Sequence, residues 1–228
     1  VEDLRAGTLR VLHDRSFVDD PTRALRGARY AARLGLEVEG QTRALLETVD
    51  LATVSDERVE AELRKLAAEA RPRPAFELAA EWGLLELGPG AGDLIDAVTE
   101  LLGVEPWAEL AGRVDAVLAA RRGPPDGASA LAAATPASPS QAVEAAHGHD
   151  GVDLVLARAL GGDWLDRYVD EWRHVRLEIS GADLLEAGVA QGPAVGRGLQ
   201  AALRAKLDGG VSSADEELRL ALDAAHAS

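Results

Sequence analysis

Alanine and leucine dominate this chain, supplying 44 and 34 of its 228 residues, against only two isoleucines, Ile95 and Ile179. Alanine and leucine are the best helix formers, whereas β-branched and aromatic residues favour the pleated, half-buried surface of a sheet. Aromatic residues make up only 4%. The composition therefore predicts an all-α fold, and the apolar spacing divides it into an array of about a dozen short helices with no sheet. One helix is predicted to open at Asp20-Pro21, an N-cap followed by a first-turn proline, and to stop at Gly35. Others are predicted at about 41–50, 56–70 (Ser55 as N-cap), 74–82 (ended by Gly83), 92–102 and 106–121. Gly123-Pro124-Pro125 and Thr135-Pro136 mark a loop-rich junction with room for a short helix. After it come helices at about 139–147, 151–160, 163–175, 181–187, 193–207 and 213–226. No fixed-period repeat supports a regular solenoid.

The chain has no cysteine, which excludes disulfides, thiolate metal sites and a cysteine nucleophile. No apolar run approaches the ~20 residues that cross a bilayer, so no membrane partner is expected and a cytoplasmic location fits. Methionine is absent even at position 1, from which the sequence is expected to be a piece of a longer protein. The net charge of −15 argues against a nucleic-acid footprint over the whole surface. The charge is uneven, however. Residues 1–73 carry a net −1 and residues 74–228 a net −14, so basic groups concentrate in the first third. The acidic remainder reads as solvated surface.

In that first third, Asp20 and Arg23 stand three residues apart at a helix start, where two side chains can converge on one flat ligand. Adenine and cytosine both present an amino donor beside a ring-nitrogen acceptor, matching a carboxylate beside a guanidinium; guanine and uracil reverse the order. Such a pair would admit ATP and CTP and leave unpaired groups against GTP and UTP. The plainer reading is that Asp20 caps the helix and Arg23 pairs with a neighbouring acid. On the same helix Arg26, Arg29 and Arg33 fall within about 60° of one another, with Leu25, Ala28 and Ala32 on the other side. Guanidinium forks suit phosphate oxygens, but solvated helix surface reads equally well.

The segment Leu9-Arg10-Val11-Leu12-His13 with Ser16-Phe17-Val18-Asp19-Asp20-Pro21-Thr22-Arg23 through Arg33-Leu34-Gly35 resembles the neck of the class II tRNA nucleotidyltransferases and bacterial poly(A) polymerases. The resemblance continues through Thr53-Val54-Ser55-Asp56-Glu57-Arg58 and Glu62-Leu63. It returns in Ile179-Ser180-Gly181-Ala182-Asp183-Leu184-Leu185, Gly192-Pro193 and Leu207-Asp208-Gly209. It covers about residues 1–87 and 172–222 and is weak between. In that family the acidic and basic pair is an amino-acid template reading the incoming base, which implies that role for Asp20 and Arg23, with Asp19 in place of a more usual glutamate. The resemblance further implies Arg26, Arg29 and Arg33 as candidate contacts to a triphosphate or the RNA backbone, and Arg10 as a positioning residue. Gly188–Arg197 would place backbone amides and Arg197 at a helix start suited to phosphate, in a tail that in relatives lies toward the tRNA elbow.

The family's catalytic head carries a glycine-rich turn and paired aspartates that hold two magnesium ions. Neither appears here, so the resemblance implies no catalytic residue and no cofactor bound by this chain, with Mg2+ only in a head outside this sequence and no polymerisation by the chain alone. Residues 1–72 would form neck-like base-recognition helices and residues 73–228 a helical body and tail that binds RNA. The implied partners are a tRNA or other RNA 3′ end and, with a head present, ATP or CTP. A non-enzymatic helical scaffold is the competing class, and a head encoded on a separate chain a third. The residues do not choose among CCA addition, A addition and poly(A) synthesis. His147-Gly148-His149-Asp150 reads as a polar loop before a metal site, and Trp82, Trp107, Trp164 and Trp172 as core or interface before a stacking platform.

Overall fold

A computed structural model describes residues 2–227. The all-α expectation holds: fifteen α-helices among the described residues carry the fold. In chain order they are α1 (Glu2–Arg5), α2 (Ser16–Asp19), α3 (Thr22–Leu34), α4 (Gly40–Leu46), α5 (Asp56–Ala67), α6 (Pro72–Glu81), α7 (Ala91–Leu101) and α8 (Arg113–Ala120). They continue with α9 (Asp126–Ala133), α10 (Pro139–Ala146), α11 (Gly151–Ala159), α12 (Trp164–Asp170), α13 (Gly181–Glu186), α14 (Pro193–Leu207) and α15 (Ala214–His226).

The expectation of no sheet is corrected. Thr8–Leu9 (β1) and Glu37–Val38 (β2) form a parallel pair in which Thr8 faces Glu37 and Leu9 faces Val38. Two-residue strands are too short to show the alternation that marks a strand in sequence. Two predicted helices also break. Residues 106–121 divide into a single 3-10 turn, Trp107–Glu109, and α8, separated by Gly112 in extended backbone. Residues 163–175 divide into α12 and a 3-10 turn, Trp172–His174. The break falls at Glu171 (φ −121°, ψ −62°); beyond it the Arg176 guanidinium donates from Nη1 to the carbonyls of Arg173 (2.7 Å) and Val175 (2.8 Å), satisfying acceptors at the end of the 3-10 turn.

The contacts divide the chain into two units, residues 1–130 with 150–161, and residues 131–149 with 162–228. In the first, α3 packs on α5 and α6, and α7, α8 and α11 pack on one another. Ala24, Leu25, Ala28 and Ala31 bury one face of α3 at 0–2% exposure, beside a core that includes Leu66 and Phe76. Glycines with φ of +63° and +72°, Gly35 and Gly83, end α3 and α6 as the sequence implied. Trp82 and Trp107 are buried, in keeping with core roles.

In the second unit α14 and α15 lie against each other, with α13 packed on both. Leu184, Val189, Ala202, Ala221 and Ala225 form their core. One carboxylate inside it, Glu217, is fully buried and accepts from Lys206 Nζ at 2.6 Å and from the Glu178 backbone N–H at 2.8 Å. Burial pushes the Glu217 carboxyl up, yet the lysine and the backbone N–H groups of Glu178 and Ile179 outweigh it and hold it below the ordinary glutamate value of 4.5. A carboxylate so held adds stability above its unfolded value and loses it as pH falls through the lower folded value. Acid unfolding monitored by circular dichroism should therefore show an acid limb that flattens in Glu217→Gln, and Glu217→Ala should destabilise by about 3–5 kcal/mol through the stranded partners.

Gly198 sets the spacing of α14 and α15. A Cβ there would lie 2.5 Å from the Ala221 carbonyl oxygen and 2.9 Å from Leu184 Cδ2. Helix propensity favours Gly198→Ala by about 1 kcal/mol, but overpacking against backbone costs about 1–3 kcal/mol. The variant is expected to lower the thermal midpoint, and an unchanged or raised midpoint in calorimetry would refute this close approach.

Candidate functional site

The short parallel pair is the first wall of a cleft. Glu37 N–H donates to Gly7 O at 2.8 Å and Glu39 N–H to Leu9 O at 3.0 Å, and Val11 N–H reaches the Thr42 hydroxyl at 3.0 Å. Thr42 is itself fixed because its backbone N–H and hydroxyl both donate to the Glu39 carboxylate, which caps α4. Residues 9–13 are thereby laid along α3, enclosing a cleft of about 420 Å³. Its lining includes Arg10, His13, Phe17, Arg23, Arg26 and Tyr30 and contains no carboxylate. In a chain of net charge −15 that is a locally cationic pocket with an aromatic and aliphatic floor.

Asp20 sits in the bend between α2 and α3. Its Oδ1 accepts from Thr22 N–H (3.1 Å), the Thr22 hydroxyl (2.7 Å) and Arg58 Nη2 (3.0 Å). Burial pushes the Asp20 carboxyl up, but the Thr22 hydroxyl, the Arg58 charge, the Thr22 N–H and a weaker pull from Arg23 outweigh it and lower it. Oδ2 takes none of these bonds and stays open as an acceptor. Asp20 thus does cap α3. Arg23 does not pair with it: its Nη1 donates to Ser16 O at 3.3 Å, and its side chain lines the cleft. Asp20 is not among the cleft's lining residues, so the two groups are neighbours without being bonded to each other.

The three arginines grouped by the helical wheel separate. Arg26 joins Arg23 in the cleft and, among the described residues, makes no ion pair. Arg29 and Arg33 turn to another flank, where each places Nη1 near Glu69 Oε1, at 3.5 and 3.6 Å. Their guanidinium carbons lie 4.8 and 5.1 Å from the Tyr30 ring centre. Arg10 lines the cleft and lies 3.5 Å from Asp3. Arg197 stands in the second unit, exposed on α14. The sequence reading gave Arg58 no role of its own, although it lies within the quoted Thr53–Arg58 run. Its thirty-eight-residue separation from Asp20 in the chain hides the contact.

A magnesium ion of the kind the resemblance implies for a head needs clustered carboxylates. Among the described residues no group of three or more His, Asp or Glu side chains gathers as a metal would require. Asp19 faces Arg15 at 3.4 Å and Asp20 faces Arg58 at 3.0 Å, so these carboxylates are committed to arginines and do not fit the ion. Asp150, from the histidine-rich loop, caps α11 by accepting from Asp153 N–H.

If Arg58 holds Asp20 ionised, replacing it should be felt at the carboxyl. Carbon-detected NMR titration of Asp20 should give a value below the ordinary 3.8 in the unaltered chain and a higher one in Arg58→Gln. An identical titration in both would break the link.

No family model matches the chain. It is 34% identical over 226 residues to the CC-adding tRNA nucleotidyltransferase of Deinococcus radiodurans, covering 95% of this chain and 56% of that protein. It is 41% identical over 80 residues to the A-adding tRNA nucleotidyltransferase of Halalkalibacterium halodurans, covering 32% of this chain and 19% of that protein. The chain thus spans little more than half of the first relative. Among solved structures, a CCA-adding enzyme in an apo form superimposes with a TM-score of 0.81 at 22% identity, over 97% of this chain and 63% of that one. The Thermotoga maritima CCA-adding enzyme complexed with tRNA gives 0.77 at 22%, over 97% and 65%. These two likenesses concern the fold. The chain is thus similar in sequence to tRNA nucleotidyltransferases and in fold to CCA-adding enzymes.

Proposed function

We propose that this chain is the base-reading and RNA-holding portion of a tRNA nucleotidyltransferase or poly(A) polymerase family protein acting on RNA 3′ ends. The observation that carries the reading is the carboxylate-free cleft of Arg10, Arg23 and Arg26, with Asp20 fixed three residues before Arg23 by Thr22 and Arg58. On this reading a base edge sits at the mouth of the cleft beside α3, with donors from Arg23 in the lining and an acceptor from Asp20 just outside it, the complement of adenine and cytosine. Phe17 and Tyr30 supply apolar surface for a ring, and Arg26, without an ion pair, is available to phosphate. Solved neighbours with CTP and with tRNA support the same partners for this chain.

The division of labour follows from the charges. Base selection needs rigid groups, and Oδ1 of Asp20 accepts three hydrogen bonds while Oδ2 takes none of them. Phosphate holding needs mobile, always-charged groups, which exposed arginines provide. Metal-assisted transfer would fall to a head of the kind the family resemblance implies, to which this chain would present the base and the RNA. Residues 1–72 would read the base, and residues 73–228 would hold RNA.

Calorimetric titration of the 228-residue chain with each nucleotide tests the base-reading role. ATP and CTP should bind at least roughly tenfold tighter than GTP and UTP, a difference of about 1.4 kcal/mol. Arg23→Ala should remove the preference. Equal affinity for all four nucleotides in the unaltered chain would take Asp20 and Arg23 out of the template role.

A further inference from the structure

The arginine stripe of α3 does not serve one site. Arg29 and Arg33 leave the base cleft and, with Arg71, Glu69 and Pro74, line a second cleft of about 290 Å³ between α3 and the turn joining α5 to α6. Three guanidiniums there face a single carboxylate. Glu69 uses Oε1 for both Arg29 and Arg33. Arg71 is exposed and, among the described residues, has no ion partner. The Arg29 Nε is buried without a hydrogen-bond partner. A fourth arginine, Arg113, donates from Nη2 to the carbonyls of Glu69 (2.9 Å) and Ala70 (3.3 Å), bringing another positive charge to the same turn and holding its backbone.

We infer that this second cleft is a subsite for a phosphodiester of an RNA strand, distinct from the cleft that takes the base. The inference rests on the functional reading above and adds a place and a direction for the strand. Arg33 lies ten residues along α3 from Arg23, about 15 Å at 1.5 Å per residue. That span is about four steps of a stacked strand at ~3.4 Å, so one polymer can meet both clefts. The excess of guanidinium over carboxylate favours a phosphate, and fork geometry lets Arg33 and Arg71 share its two free oxygens. Glu69 orients Arg29 and Arg33 against Tyr30 and at the same time opposes an incoming anion, so its charge sets an upper limit on affinity.

Fluorescence anisotropy with a labelled tRNA acceptor minihelix, at several salt concentrations, tests this on the full 228-residue chain. Arg33→Ala combined with Arg71→Ala should weaken binding at least roughly tenfold at low salt and flatten the log affinity against log salt slope by about 1.5–2, the signature of two lost phosphate contacts. Glu69→Gln should instead tighten binding, an effect that misfolding cannot produce. Titration of the same variants with ATP and CTP separates the two sources of phosphate. Unchanged nucleotide affinity with weakened RNA binding supports the subsite. Weakened nucleotide binding with intact RNA binding assigns the cleft to a triphosphate and overturns it, as does unchanged RNA affinity and slope in the double variant. Absence of any RNA binding by the unaltered chain at low salt overturns the underlying functional reading, and the subsite with it.

Discussion

The buried face of α3 governs the site. Ala24, Leu25, Ala28 and Ala31 are nearly inaccessible, and three of the four are alanines, small enough for α5 and α6 to approach the helix backbone. With that face committed, every other α3 side chain has a fixed heading. Arg23, Arg26 and Tyr30 must turn to the segment 9–13, while Arg29 and Arg33 must turn to Glu69. Rotating α3 by one residue would turn a guanidinium into the apolar packing, at the cost of its desolvation. The two cationic clefts are thus consequences of one apolar packing decision.

Acidity of the chain as a whole and basicity of its proposed site are compatible for the same reason. Most of the negative charge lies beyond residue 73, whereas α3 alone carries Arg23, Arg26, Arg29 and Arg33, with Arg71 in the turn after α5. Fields from exposed charges fade over a Debye length of about 8–10 Å, so a polyanion approaching these clefts responds to local groups first. Ion pairs do consume some of the positive charge. Arg58 is used on Asp20, Arg43 on Glu81 and Arg64 on Asp115, whereas Arg23, Arg26 and Arg71, exposed in the clefts, make no ion pair among the described residues. In the second unit the fully buried Glu217 plays the structural counterpart, joining Lys206 of α14 to the backbone ahead of α13 through charge-assisted bonds.

Much of the fold was legible because helix formation here is a local matter. Caps and stops were read correctly at Asp20, Gly35 and Gly83, since a side-chain acceptor or a left-handed glycine acts within a few residues. Misses fall at backbone breaks and at distant contacts. The helix expected over 106–121 breaks at Gly112, whose backbone is extended, and that over 163–175 breaks at Glu171, where φ is −121° and ψ −62°. The small parallel pair is held by Thr42 and by a strand thirty residues away, neither of which leaves a local pattern.

By itself, then, the amino-acid sequence determined helical character, the uneven charge and the resemblance that pointed to Asp20 and Arg23, because propensity, net charge and a short run of residues are properties of neighbours along the chain. Only the tertiary structure decided which guanidinium meets which anion. An angular wheel places Arg26, Arg29 and Arg33 together, yet Glu69 draws Arg29 and Arg33 to one flank while Arg26 stays with Arg23 in the other cleft. Those positions depend on how helices pack, and packing is settled by side-chain volume across elements remote in sequence.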